Sequence, residues 1–169
     1  YDAVRDKCSP SAICLICEIA AYAKDNGMTL YDYLLKIYED YGFQKETTIN
    51  VVRPGKTGAE EIQAMMKNYR ENPPMEIAGE KLLEQKKWEN GKWENEKIEM
   101  PLNATSNVLQ YFTEGGLKVS VRPSGTEPKI KFYFEIPVKS GKPFTGADYE
   151  RCTAEAEARV PEIKKSLGL

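Results

Sequence analysis

The chain has 169 residues, 30% of them charged and 41% hydrophobic, enough for a buried core and one or two domains. A formal net charge of −2, with Lys and Arg interspersed among Asp and Glu, leaves no broad electropositive face for nucleic acid or anionic lipid, and no apolar run approaches the roughly 20 residues of a membrane span. Histidine is absent, which excludes imidazole acid–base catalysis and every His-containing metal site.

Four cysteines, Cys8, Cys14, Cys17 and Cys152, are too few for a disulfide-built scaffold, so the expectation is free thiols and a cytoplasmic protein. The start, Tyr1-Asp2-Ala3-Val4, has no initiator Met and no signal core, and reads as a beginning inside something longer.

Ser9-Pro10-Ser11 predicts a helix opening, with Ser9 as the cap and Pro10 in the first turn. Residues 12 to 23 carry only one charge, Glu18, so this helix is expected to be buried on most faces and to end at Asn26-Gly27. Cys14-Leu15-Ile16-Cys17 has the spacing of a redox or zinc half-site. A single pair in an apolar helix, with no second pair and no His, reads instead as small buried hydrophobes.

Thr29 and Asp32 form a capping pattern for a second helix, striped by Leu30, Tyr33, Leu34, Ile37, Tyr38 and Tyr41 and ended by Gly42. Thr47 to Val52 is β-branched and predicts a strand, turned by Pro54-Gly55. Thr57 with Glu60 repeats the capping pattern before Ile62, Met65, Met66 and Tyr69, and Asn72-Pro73-Pro74 stops that helix.

Strands follow. Asn90-Gly91 is a two-residue hairpin signal that sets Trp88 opposite Trp93, Glu89 opposite Lys92 and Lys87 opposite Glu94, a possible arm for an interaction module. Val108–Phe112 and Leu117–Val121 flank Gly115-Gly116 as a further hairpin, and Ile130, Phe132, Phe134 and Ile136 alternate with polar neighbours. From Thr145, capped by Asp148, a last helix carries Tyr149, Cys152, Ala156, Val160, Ile163 and Leu167 on one seam, and Pro161 is expected to bend or interrupt it. Strand, helix, about four strands and helix make an α+β fold with helices on one face of an antiparallel sheet.

The chemistry gathers in Arg122-Pro123-Ser124-Gly125-Thr126-Glu127-Pro128-Lys129, a connection longer than a hairpin needs and rich in donors. Arg122 offers a planar fork for two phosphate oxygens, Ser124 and Thr126 add hydroxyls, and Gly125 lets backbone N–H groups come close. Pro123 and Pro128 stiffen entry and exit. Spacing alone also admits a structural loop in which Ser and Thr cap their own backbone.

The run Val121 to Tyr133, with Arg122-Pro123-Ser124-Gly125-Thr126-Glu127-Pro128-Lys129-Ile130-Lys131 at its centre, resembles the C-terminal signature of the α-D-phosphohexomutases, the phosphoglucomutase/phosphomannomutase family. Arg5-Asp6-Lys7, Glu18-Ile19-Ala20-Ala21-Tyr22, Gly27-Met28-Thr29-Leu30 and Tyr38-Glu39-Asp40-Tyr41-Gly42 resemble the end of that family's third domain. Cys8, where the resemblance implies a polar residue, departs from the pattern and bears on the local helix start.

The resemblance implies two parts. Residues 1–42 would be the closing helices of the third domain, and residues 43–169 a fourth domain with a TATA-binding-protein-like β-α-β(4)-α fold. It implies that Arg122, Ser124, Gly125 and Thr126, helped by Lys131, hold the non-reacting phosphate of a phosphosugar, with Glu127 shaping the loop. Glucose phosphate fits better than mannose or pentose phosphate, because Ser106-Asn107-Val108-Leu109 and the Gly-Thr-Glu-Pro loop resemble the phosphoglucomutase branch. Magnesium and a phosphoserine are implied for the parent enzyme but not for these residues, which carry no serine, metal or sugar-reading loop. The implied partners are a phosphosugar and three further domains of the same chain, and the segment alone is expected to bind without turnover.

Overall fold

The computed structural model describes residues 7–89, 92–93 and 107–169. Arg5, Asp6, Asn90, Gly91, Glu94 and Ser106 lie outside the described residues, so the hairpin loop and part of the upstream signature do too. The element order is α1 (Ser9–Asp25), α2 (Leu30–Tyr41), β1 (Phe43–Val52), α3 (Lys56–Glu71), β2 (Glu76–Ile77), β3 (Glu80–Glu89), β4 (Lys92–Trp93), β5 (Val108–Thr113), β6 (Lys118–Pro123), β7 (Lys129–Val138) and α4 (Gly146–Ser166). The chain forms two compact units, one comprising residues up to Phe43 with Lys139–Glu150, the other Gln44–Val138 with Arg151–Leu169.

In the first unit, α1 begins at an extended Cys8 rather than Ser9, and no side chain caps it; Pro10 sits in the first turn, where its missing N–H is harmless. Its end is a Schellman turn: Gly27, at φ 70, donates to the Lys24 carbonyl at 3.0 Å, and Met28 donates to that of Ala23 at 2.9 Å. The expected burial of α1 does not occur. Ala23 is its one buried residue, while Ile13, Leu15 and Ile16 are exposed, and Cys14 and Cys17 are exposed rather than packed as small hydrophobes. The apolar composition of α1 exceeds what α2 covers, mainly through Tyr22 against Tyr33 at 5.7 Å.

The Thr29–Asp32 box forms in both directions, at 3.1 Å and 2.9 Å, an arrangement that stabilises a helix start by about 1 kcal/mol. Tyr38, Phe43, Phe144 and Tyr149 make an aromatic cluster with centroids 4.9 to 6.0 Å apart, and Glu39 accepts the Phe144 N–H at 2.8 Å. This cluster explains why Lys139–Glu150 groups with the first unit.

The second unit is a sheet in the order β1-β7-β6-β5-β3-β2, with β4 added beside β3. With the two-residue strands β2 and β4 set aside, the order is β1, α3, four strands and α4, the β-α-β(4)-α pattern expected. Trp88 pairs with Trp93 and Glu89 with Lys92 in register, as the Asn-Gly signal requires. One face is closed by helices. Ile62, Met66 and Tyr69 of α3 and Cys152, Ala156 and Ile163 of α4 are buried over Leu109, Tyr111, Val119, Val121, Phe132, Phe134 and Ile136. Each fully buried large apolar side chain contributes about 1.5–3 kcal/mol.

Tyr69 ties the layers together: its ring meets Phe132 edge-on at 5.7 Å, and its hydroxyl donates to the Leu167 carbonyl at 2.5 Å. Strands β5, β6 and β7 alternate buried and half-exposed positions, so the other face carries Gln110, Phe112, Lys118, Ser120, Tyr133 and Glu135. Near that sheet, Glu80 accepts from Thr113 and is paired with Arg159 of α4.

One sequence expectation fails here, and so does the stronger form of a second, an interruption at Pro161. The cap of α3 is Gly55, at φ 89, with no side-chain bond, because the left-handed glycine lets the chain start the helix before Thr57 is reached. Pro161 does not interrupt α4, which runs to Ser166. Losing one backbone bond is offset by burial of Ile163 and Leu167 beyond it. The Thr145–Asp148 cap forms as expected, at 3.0 Å and 3.3 Å.

Candidate functional site

The loop is Ser124–Pro128, slung between β6 and β7, whose ladder runs to the pairs Arg122–Lys131 and Pro123–Ile130. Its base is closed by Ser124 N–H donating to the Lys129 carbonyl at 2.8 Å, and its exit by Lys129 N–H donating to the Glu127 carbonyl at 2.7 Å. Thr126 N–H points at Ser124 Oγ at 3.5 Å, a loose contact that leaves the Ser124 hydroxyl able to turn toward a ligand. From outside the hairpin, Arg53 N–H donates to the Pro128 carbonyl at 2.9 Å.

Glu127 is ion-paired with Lys129, the first cause of a carboxyl held below the usual carboxylate range; the charges of Lys129 and Lys131 act in the same direction. The pairing answers an electrostatic difficulty, since a bare carboxylate would repel a phosphate dianion.

The candidate residues are not all in one place. Ser124, Gly125, Thr126, Glu127 and Pro128 line a cavity of about 360 Å³ whose opposite wall is Gly55, Ala59, Ile62 and Gln63 from the β1–α3 turn and α3. Arg122 and Lys131 do not line it. They stand opposite one another across β6–β7, on the face away from buried Val121 and Ile130, and Arg122 is exposed. The two cations thus flank the base of the loop, and the hydroxyls and Gly125 form its tip. Gly125 has nothing within 4 Å of where a Cβ would stand, so its backbone is open to close approach.

The wall from Gly55 to Gln63 was not legible in the sequence. It comes from the end of β1 lying at the start of β7, and the nearest local signal was the Pro54-Gly55 turn. Among the described residues no three His, Cys, Asp or Glu side chains gather as a metal ion requires. No helix among them is long and apolar enough to cross a membrane.

Residues 49–141 match the family model described as the phosphoglucomutase/phosphomannomutase C-terminal domain. The chain is 34% identical over 139 residues to a phosphoglucomutase of Staphylococcus aureus, covering 79% of this chain and 24% of the relative. It is 35% identical over 143 residues to one of Staphylococcus haemolyticus, covering 81% and 25%. The chain thus spans about a quarter of the length of these relatives. The fold is shared with the open form of pp63/parafusin, an exocytosis-sensitive phosphoprotein and phosphoglucomutase of Paramecium. That alignment has a TM-score of 0.61 and 15% identity, and covers 99% of this chain and 28% of that one. The chain belongs to the phosphoglucomutase/phosphomannomutase family, whose C-terminal domain it carries in residues 49–141.

Proposed function

We propose that the chain is the phosphate-gripping part of a sugar-phosphate mutase, an isomerase, and that glucose 1-phosphate and glucose 6-phosphate are its substrates. Residues 1–42 then belong to the preceding domain and residues 43–169 to the gripping one. The observation that carries this reading is the pair of cations, Arg122 opposite Lys131, at the base of a loop whose tip offers Ser124, Gly125 and Thr126.

In this reading Arg122 binds two oxygens of the non-reacting phosphate through its fork, Lys131 adds a point charge, and Ser124, Thr126 and the Gly125 backbone supply neutral donors. Glu127 and the two prolines shape the loop, with the Glu127 charge held by Lys129. Nothing in this set reads a sugar hydroxyl. That suits a mutase, in which a bisphosphate turns over and either phosphate must be gripped in turn while the other reacts. Positioning and electrostatics dominate such transfers. In this reading the phosphoserine and magnesium that the reaction needs come from other domains.

The test is a titration of the labelled protein with glucose 1-phosphate. Amide signals of Ser124, Gly125 and Thr126 are expected to move, and Arg122→Ala to abolish the movement. No perturbation at tens of millimolar ligand would sink the proposal.

A further inference from the structure

Arg53, the residue after β1, is fixed at three points. Its N–H donates to the Pro128 carbonyl at 2.9 Å, its guanidinium meets Glu61 at 3.3 Å, and its own carbonyl fills the space where a Cβ at Gly58, in the first turn of α3, would stand. A Cβ at Gly58 would collide with the Arg53 carbonyl and lie 2.9 Å from Arg53 Cβ, so only glycine fits without moving Arg53. Among the described residues, the Arg53–Pro128 bond is the one backbone hydrogen bond that joins Ser124–Pro128 to an element outside its own hairpin. Between Ser124 and Glu127 the loop and α3 line one cavity together.

From this geometry we infer that Arg53 and Gly58 are positioning residues for the phosphate loop. They preset its exit through the Pro128 carbonyl without touching the ligand; the inference rests on the phosphate-binding reading above. A loop ordered in advance loses less conformational entropy on binding, so the tie raises phosphate affinity. Linkage requires the reverse effect as well: bound phosphate must strengthen the tie.

The test follows the Arg53 amide by hydrogen exchange and the Ser124, Gly125 and Thr126 amides during titration with inorganic phosphate. In the wild type, saturating phosphate is expected to slow Arg53 exchange several-fold. Arg53→Pro removes the donor at a position that Pro54 restricts to extended backbone, and Gly58→Ala displaces the acceptor's partner. Either should weaken phosphate binding roughly threefold to tenfold, the range that one hydrogen bond of ordinary net strength commands. Arg53→Gln, which keeps the N–H and drops the charge, should restore binding to within about twofold of wild type.

Unchanged signals of Phe132 and Phe134 certify the fold of each variant. Should Gly58→Ala not fold, Arg53→Pro and the wild-type exchange measurement still decide. Arg53 exchange unaffected by phosphate, or folded Arg53→Pro binding as wild type does, overturns the inference and leaves the phosphate reading standing. A wild-type protein whose loop amides ignore phosphate overturns both.

Discussion

Arg122 stands directly opposite Lys131 across β6 and β7, and among the described residues neither forms an ion pair. Like charges facing each other across strands destabilise a sheet. An anion between them would reverse that cost, so Lys131→Gln should move stability and binding in opposite directions. Its urea midpoint is expected to rise by the equivalent of about 0.2–0.5 kcal/mol, while phosphate affinity falls roughly threefold to tenfold. Parallel changes in both would remove Lys131 from the site.

Gly125 and Gly115 make a contrast. A Cβ at Gly125 meets nothing within 4 Å, so Gly125→Ala is expected to leave stability within about 0.5 kcal/mol yet weaken phosphate binding by crowding the backbone donors. At Gly115 the added Cβ would strike the Glu80 carboxylate, which is held by Thr113 and Arg159. Gly115→Ala should therefore cost about 1–3 kcal/mol in denaturant unfolding and leave phosphate binding alone.

Glu127 carries the pH signature of the loop. Pairing with Lys129 lowers its carboxyl below the usual range. A depressed folded value means that the contribution is present above the unfolded value of about 4.3 and is lost as pH falls through the folded one. Carboxyl-carbon NMR is expected to show Glu127 titrating below the usual carboxylate range, and Lys129→Met to raise it. No upward move of Glu127 in Lys129→Met would count against the pairing.

The Tyr69 carbonyl accepts from Tyr111 Oη at 2.7 Å and Gln85 Nε2 at 2.9 Å. Burial pushes the Tyr111 hydroxyl above its ordinary range, so it stays a donor at any working pH. Tyr111→Phe removes one donor while Gln85 keeps the carbonyl satisfied, and should cost only about 0.5–1.5 kcal/mol. Phe132→Ala, fully buried against Tyr69, should cost about 3–5 kcal/mol, and chemical denaturation distinguishes the two.

Much of the fold was legible because its signals are local. The alternation from Ile130 to Ile136, the Thr29–Asp32 and Thr145–Asp148 boxes and the Gly115-Gly116 turn each act within a few residues. What failed depended on distant partners. The Thr57–Glu60 pattern was overridden by Gly55, whose left-handed backbone starts α3 early. Pro161 was tolerated because Ile163 and Leu167 are anchored in the core. The α1 residues from Ile13 to Cys17 read as core by composition, yet α2 covers little of them. At the candidate site, the loop residues stand out in the sequence by their chemistry, whereas the Gly55–Gln63 wall and the Arg53 tie arise only once β1 lies beside β7.

The proposed grip on phosphate is tested most directly by a crystal structure of the chain grown with glucose 6-phosphate. The phosphate is expected beside the loop, its oxygens about 2.7–3.2 Å from the Arg122 guanidinium at the base and from Ser124 Oγ and the Gly125 N–H at the tip, with the sugar ring pointing away. A phosphate bound elsewhere, or a loop that contacts the sugar hydroxyls instead, would contradict the assignment.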